Sequence, residues 1–243
     1  MNAFEMFLFQ YYPYVCLSVF VVGSLIRFDR DQYTWKSDSS QMLRATQLKW
    51  GSTLFHTGIL LLFFGHLFGM LTPHWLYAPF MEAGTKQMIA VYAGGVFGVI
   101  TFIGLSILLH RRFTDPRIRL TSRRSDMAVL IILWIQLVIG LSTLPSSLHH
   151  TDGELMMALA DGAQRIMTFR PIDQAALASI PWHYKLHVLL GATLFLLFPF
   201  TRLVHVWSGF AALTYVLRPH QLVRSRRLNL PENSPLPVAR PKP

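Results

Sequence analysis

Residues 50–71 read WGSTLFHTGILLLFFGHLFGML, an apolar run that contains no Asp, Glu, Lys or Arg but carries two histidines. A helix needs about 20 apolar residues to cross the hydrocarbon core of a bilayer, so this run is long enough. Ionisable side chains inside such a span are costly and usually functional. The run therefore predicts a membrane helix and makes His56 and His66 candidate functional residues.

Four further runs have the same character. They cover residues 4–26, 88–110, 126–145 and 185–208. Pro13 interrupts the first and Pro199 the last, which a membrane helix with neighbours tolerates. Charged residues make up 14% of the chain, against about 25% in soluble domains, and the mean hydropathy is +0.38. We therefore expect an all-α integral membrane protein with five transmembrane helices.

The basic residues indicate the orientation of these helices. Seventeen of the 22 Lys and Arg residues lie in three segments, 27–49, 111–124 and 218–242, that share one side of a five-span arrangement. Because Lys and Arg favour the cytoplasmic side, we expect the N-terminus outside and the C-terminus in the cytoplasm. The net charge of +10 thus reflects topology and does not indicate nucleic-acid binding.

Two segments outside the spans have a distinct composition. Loop 146–183 is moderately acidic, is the only long external segment, and shows a helical pattern around Glu154–Met167. The end of the chain is rich in proline, so we expect residues 228–243 to be a disordered cytoplasmic tail. Residues 1–227 would then form the five-helix membrane domain.

Cysteine usage restricts the possible cofactors. A single cysteine, Cys16, excludes an intrachain disulfide and a cysteine cluster for zinc or iron–sulfur ligation. The sequence also lacks the C-x-x-C-H motif of covalently attached c-type haem. Any redox cofactor must be held by other side chains, and ten histidines are available.

Four histidines lie in the cores of only two of the predicted spans, and His110 lies at the boundary of the third. His56 and His66 lie in the second span, and His187 and His205 in the fifth. These spans run antiparallel, so His66 and His187 share the outer half of the membrane while His56 and His205 share the inner half. Each pair can hold one iron from opposite sides, which would give two haems stacked across the membrane. Polar contacts between helices, or a proton relay, would also use intramembrane histidines.

Helix geometry supports this pairing only in part. At 1.5 Å rise per residue, His56 and His66 are about 15 Å apart along their helix, and His187 and His205 about 27 Å. An 18-residue separation is five full turns, so the latter two face the same way. Ten residues leave the former two about 80° apart in azimuth. Haem tilt and helix crossing would have to accommodate the difference in axial spacing and the difference in azimuth, so the spacing alone does not establish ligation.

Small residues accompany the histidines. These are Gly58, Gly65 and Gly69 in the second span, Gly94, Gly95 and Gly98 in the third, and Gly191 in the fifth. They would leave room for a macrocycle. They would equally allow membrane helices to approach each other closely.

Three long segments resemble a known family. They are Gln32–Leu43 (QYTWKSDSSQML), Gly65–Trp75 (GHLFGMLTPHW), and the region from Leu186–His187 through FPFTRLVHVW, which ends at Trp207. In these segments, and over nearly all of residues 4–227, the chain resembles the gamma subunit (cytochrome b) of respiratory nitrate reductase.

The resemblance implies cofactors, site residues and partners. It implies two haem b groups, the outer one bound by His66 and His187 and the inner one by His56 and His205. It implies a quinol site near the outer haem to which Lys86 contributes, although on the sequence alone Lys86 fits an interfacial snorkelling lysine equally well. It places the chain in the bacterial cytoplasmic (inner) membrane, where quinol is oxidised. Nitrate reduction would belong to partners, a beta subunit with iron–sulfur clusters and an alpha subunit with a molybdenum cofactor.

Two other functional classes are compatible with five spans. A related haem b anchor of another oxidoreductase would keep the haems and change the partner, although segments 32–43 and 65–75 argue against it. A haem-free transporter or structural anchor would use the histidines for protons or packing. If electrons leave the inner end, we expect Trp207–Arg227, where apolar residues are bordered by arginines, to contact the accepting subunit.

Overall fold

The structure, a computed structural model, describes residues 3–30, 43, 45–149 and 152–208. Within these ranges all regular structure is helical. Five of the described helices are long and apolar enough to cross a membrane: α1 (Ala3–Arg30), α2 (Ala45–Leu71), α3 (Ala83–Thr114), α4 (Arg124–His149) and the span Trp182–Phe200. An amphipathic helix, α5 (Glu154–Met167), precedes the last span, whose α-helical part, Trp182–Leu197, is α6. The predicted all-α, five-span membrane fold and the helix within loop 146–183 are thus confirmed.

Some expected features fall outside the described residues. They include most of segment 32–43, the expected contact segment beyond Ser208, and the tail 228–243. All six helices belong to one compact unit that ends at Val206. The boundary expected at residue 227 therefore stays a prediction.

The first span accommodates its proline through an irregular turn. A π-helical turn, Phe7–Tyr11, lies directly before the helix resumes at Tyr12. Proline lacks an N–H and its ring clashes with the carbonyl four residues earlier, so Pro13 needs extra room on the side of Phe9. The wider π turn provides that room, and the chain continues as a helix to Arg30.

Glycines set the close crossing of α2 and α3. A Cβ built on Gly58 would approach the Phe97 carbonyl oxygen to 2.9 Å, and one on Gly104 would approach the Gly51 carbonyl oxygen to 2.9 Å. Neither position has space for a larger side chain without separating the helices. Small residues at such positions let membrane helices pack through their backbones.

The expectation of a continuous fifth span over residues 185–208 is wrong in its second half. The α-helix ends at Leu197 and is followed by two 3-10 turns, Phe198–Phe200 and Arg202–His205. Thr201 between them is fully extended, with φ −126° and ψ −179°. Pro199 at the break has no backbone N–H to continue the helix.

A side chain from α1 stabilises this break. The Arg27 guanidinium donates hydrogen bonds to the carbonyl oxygens of Pro199 (2.7 Å) and Thr201 (2.9 Å). Carbonyls released at a helix end inside a membrane need a donor, because lipid supplies none. Arg27 therefore fixes the conformation of the segment that carries His205.

The helices surround a space between α2 and α6. α3 packs against α2 and α4, α6 packs against α4 and α1, and α5 packs against α2. The backbones of α2 and α6 are not closely packed against each other. The two helices that carry the four histidines therefore face each other through side chains.

Candidate functional site

The four histidines form two pairs in the structure. The ring centroids of His66 and His187 are 6.2 Å apart, and those of His56 and His205 are also 6.2 Å apart. In each pair one ring comes from α2 and the other from α6 or the 3-10 turn that follows it. The structure thus brings together the residues that antiparallel spans were expected to bring together.

Every one of these imidazoles is held by a hydrogen bond from Nδ1. The acceptors are the backbone carbonyls of Ser52 for His56 (2.8 Å), Leu62 for His66 (2.8 Å), Gln136 for His187 (3.2 Å) and Arg202 for His205 (2.6 Å). A carbonyl oxygen can only accept, so Nδ1 must carry the proton. Nε2 then keeps its lone pair. Metal-binding histidines have this tautomer, and a hydrogen bond from their other ring nitrogen orients them in the same way.

The distance within each pair suits one metal ion between two rings. A metal–imidazole bond is about 2 Å long and the ring centroid lies roughly 1 Å behind the nitrogen, so two rings on one metal have centroids about 6 Å apart. Among the described residues no group of three or more His, Cys, Asp or Glu side chains could hold a metal ion. Two axial nitrogens are what a haem iron requires from the protein, since the macrocycle supplies the other four. The donor set therefore fits haem.

α4 holds the His187 ring in place. The Gln136 side chain donates to the backbone carbonyl of His187 (3.0 Å), and the Gln136 carbonyl accepts from the ring. A Cβ on Gly140, one turn further along α4, would lie 2.7 Å from Cε1 of the same imidazole. Any larger residue at this position would clash with the ring.

A cavity of about 750 Å³ adjoins the other pair. Its lining includes His56 and His205, together with Ser52, whose hydroxyl lies 3.1 Å from His56 Nδ1. Cofactor sites usually have volumes of about 300–1,000 Å³. The cavity is thus large enough for a macrocycle next to the His56–His205 pair.

Five of the seven glycines that the sequence associated with the histidines fall into two groups. Gly58 and Gly98 are packing positions, since a Cβ on Gly98 would lie 2.7 Å from Leu141 Cδ2. At Gly65, Gly69 and Gly94 a Cβ would meet no atom within 4 Å. Helix packing therefore explains the first group, and only the second is compatible with room for a macrocycle.

Lys86 lies at the His66 end of α2. Its ammonium group is 3.4 Å from the carbonyl oxygen of Thr72, directly after α2, and 3.9 Å from the centroid of the Tyr77 ring. The Gln164 side chain of α5 reaches the same carbonyl (3.5 Å) and that of Met70 (2.9 Å). Lys86 is therefore held in place by a carbonyl and an aromatic face.

Sequence reasoning did not single out Gly140 or Gln164, and it placed Gln136 only in the bundle interior. Gln136 carried a visible signal, because it is the one polar side chain in the middle of its span. For Gly140 and Gln164 the sequence carries no signal, since their roles depend on contacts with residues 47 and more positions away.

Comparison with known proteins identifies the family. A profile described as nitrate reductase gamma subunit matches residues 5–226. The chain is 51% identical over 223 residues to the respiratory nitrate reductase 2 gamma chain of Escherichia coli (strain K12), a match that covers 92% of this chain and 98% of the relative. It is 46% identical to the respiratory nitrate reductase 1 gamma chain of the same strain (93% and 100% covered). It is 35% identical to the nitrate reductase gamma chain of Bacillus subtilis (strain 168; 88% and 95% covered). The chain therefore belongs to the nitrate reductase gamma subunit family.

Proposed function

We propose that this chain is the membrane cytochrome b subunit of a respiratory nitrate reductase in the bacterial inner membrane. It oxidises quinol at the His66 end and passes electrons to an iron–sulfur beta subunit at the His56 end. Nitrate is reduced in an alpha subunit with a molybdenum cofactor. The observation that carries the proposal is the two histidine pairs, each with centroids 6.2 Å apart and Nδ1 bonded to a carbonyl.

The two pairs would bind two haem b groups. His66 and His187 are the ligands of the outer haem and His56 and His205 those of the inner haem, with the N-terminus outside and the C-terminus in the cytoplasm. When bound, haem supplies one-electron transfer between a two-electron donor and a one-electron acceptor. The chain's own contribution is to fix the four ligand rings, and the Nδ1 hydrogen bonds raise the basicity of each Nε2.

Lys86 would position the quinol. Its Nζ has three N–H donors, and the Thr72 carbonyl accepts from only one of them. A remaining N–H can donate to a quinol oxygen, and the positive charge stabilises the negative charge that develops there as the proton leaves. The Tyr77 ring, 3.9 Å away, keeps the ammonium at the His66 end rather than in the headgroup region.

Single histidine substitutions test the two-haem arrangement. His66→Ala or His187→Ala should remove one low-spin haem signal, and His56→Ala or His205→Ala the other, because each change deletes one of the two imidazoles that would hold that haem. The measurement is the optical and electron paramagnetic resonance spectrum of the membrane-bound complex. Two low-spin signals that survive any of the four changes would contradict the pairing.

Two other histidines provide matched controls. His74 and His110 are exposed and lie near the ends of α2 and α3, outside both pairs. His74→Ala and His110→Ala should leave both haem signals intact. A preparation of the unaltered complex without any haem would instead favour the transporter or anchor class.

A further inference from the structure

The charged residues that line the cavity beside His56 and His205 are all positive. Lys49, Arg111, Arg112 and Arg202 contribute to its wall, and none of its lining residues is acidic. The same wall contains the two imidazoles, so the cations and the ligand rings face one space. A cavity of about 750 Å³ with this lining favours a ligand that combines an apolar body with negative charge.

Two of these cations are deeply buried. Arg111 is 1% exposed and Arg112 is 8% exposed. Burying a guanidinium is costly unless an anion compensates its charge. The Arg112 Nη1 donates to the hydroxyl of Ser122 at 2.7 Å. That partner is neutral, and the carboxylate that acts on this guanidinium electrostatically, Asp126, forms its ion pair with Arg202.

Arg202 links the cationic wall to the ligand ring. Its carbonyl accepts the Nδ1–H of His205 (2.6 Å), and its Nε lies 3.3 Å from a carboxylate oxygen of Asp126, which is 4% exposed. The buried acid thus forms its ion pair with Arg202, and Arg112, which also feels the charges of Arg111 and Arg202, hydrogen-bonds to a neutral hydroxyl. The arginine at position 112 is the cation best suited to bind an anion from the cavity.

A haem b has the chemistry that this wall selects. It is a flat apolar body with two carboxylates on one edge, and arginine binds carboxylates through two parallel hydrogen bonds. On α2, Lys49 precedes His56 by two turns, so the cations lie toward the end of the bundle and the ring lies deeper. The carboxylate edge would thus point to the bundle end.

We propose that Arg112, together with Lys49, Arg111 and Arg202, binds the carboxylates of the haem held by His56 and His205 and raises its reduction potential. This inference rests on the proposed function, because it requires that haem. A fixed positive charge next to the carboxylates stabilises the reduced form, which carries one positive charge fewer. Arg112 acts as a positioning residue, and its effect reaches the iron through the haem carboxylates.

Redox titration of the full complex in membranes tests the inference. Arg112→Gln should lower the potential of the His56–His205 haem by at least 59 mV, a tenfold change in the ratio of the two oxidation states. The potential should also become dependent on pH near neutrality, because a carboxylate without its cation takes up a proton more readily. The other haem should keep its potential. An unchanged potential, or equal shifts of both haems, would overturn the proposal.

Three variants separate charge from packing. Arg112→Lys keeps the charge and should shift the potential less than Arg112→Gln. Ser122→Ala removes the hydroxyl partner of Arg112 but keeps the cation. The potential of the His56–His205 haem should therefore differ by only a few millivolts from that in a variant with a matched substitution on the surface. Arg119→Gln, an exposed arginine close in sequence, is that matched change. A shift in Ser122→Ala equal to that in Arg112→Gln would indicate a purely structural role.

Reconstitution with an esterified haem identifies the anion. Complex prepared without haem is loaded with either haem b or its dimethyl ester, which lacks carboxylate charge, in the unaltered and Arg112→Gln proteins. The substitution should weaken binding of haem b at least tenfold and that of the ester less than twofold. Equal effects on both would mean that Arg112 serves another anion, such as a lipid phosphate, and would overturn the proposal. If Arg112→Gln does not accumulate, Lys49→Gln, which removes an exposed cation from the same wall, takes its place in the same comparison. Failure of the unaltered protein to bind any haem would refute the proposed function instead.

Discussion

Replacing Gly140 with alanine would place a methyl group against the imidazole of His187. The new Cβ would lie 2.7 Å from Cε1 and 3.3 Å from Nδ1 of that ring. Carbon atoms in contact prefer separations of about 3.5–4.0 Å, so the ring would have to withdraw by about 1 Å. A ligand bond of about 2 Å does not survive such a displacement without strain.

The expected magnitude follows from the cost of overpacking. An extra methyl group in a well-packed site costs about 1–3 kcal/mol. At 1.4 kcal/mol per factor of ten, haem affinity at the His66–His187 pair should fall by about 5- to 140-fold. The His56–His205 pair should be unaffected, because Gly140 contacts only the other pair's ring.

Haem titration of the complex, followed by low-spin signals, measures this loss. Gly162→Ala on α5 is the matched control, since a Cβ there would meet no atom within 4 Å. Both proteins gain the helix propensity of alanine over glycine, so only the clash distinguishes them. The reasoning fails if Gly140→Ala keeps the spectrum and affinity of the His66–His187 haem, or if both haems weaken equally.

Three further predictions concern quinol, the helix break and the partner. Lys86→Ala should slow quinol-driven haem reduction, measured by stopped flow, at unchanged haem content, because the donor to the quinol oxygen is lost. Normal reduction rates at both limiting and saturating quinol would show that Lys86 is only a snorkelling residue. Arg27→Gln should destabilise the segment that carries His205 by about 1.5–3 kcal/mol, the value of hydrogen bonds from a charged donor, and this should appear as selective loss of the His56–His205 haem on heating. Truncation after Ser208 should release the catalytic subunits from membranes in a sedimentation assay, whereas truncation after Leu230 should not. If the catalytic subunits stay attached without residues 209–243, the loops at 28–47 and 111–124 must form the contact instead.

The sequence predicted those features that depend on local composition. Apolar runs of about 20 residues predicted the five spans, and the helical pattern around residues 154–167 predicted α5. The encounter of His66 with His187 and of His56 with His205 followed from span direction alone, because antiparallel helices place such residues at matching depths.

Features that depend on contacts between distant residues were not predictable from the sequence. The cationic cavity needs Lys49, Arg111 and Arg202 from three separate elements on one wall. By sequence count alone, Arg111 and Arg112 belong to the basic loops that positive-inside topology explains. Burial of their side chains, at 1% and 8% exposure, distinguishes them from the exposed Arg119.

The break in the fifth span resolves a difficulty that straight helices would leave. Along α2 the two ligands are about 15 Å apart and about 80° apart in azimuth, whereas a continuous helix would place His187 and His205 about 27 Å apart on one face. Two straight antiparallel helices that match one pair would therefore carry the other about 12 Å out of level. The extended Thr201 interrupts the helix between the two ligands, and His205 lies in a 3-10 turn at the same centroid distance from His56 as in the other pair, 6.2 Å. Pro199 lies at this break, and Arg27 on α1 supplies hydrogen bonds to the carbonyls that the break releases inside the membrane.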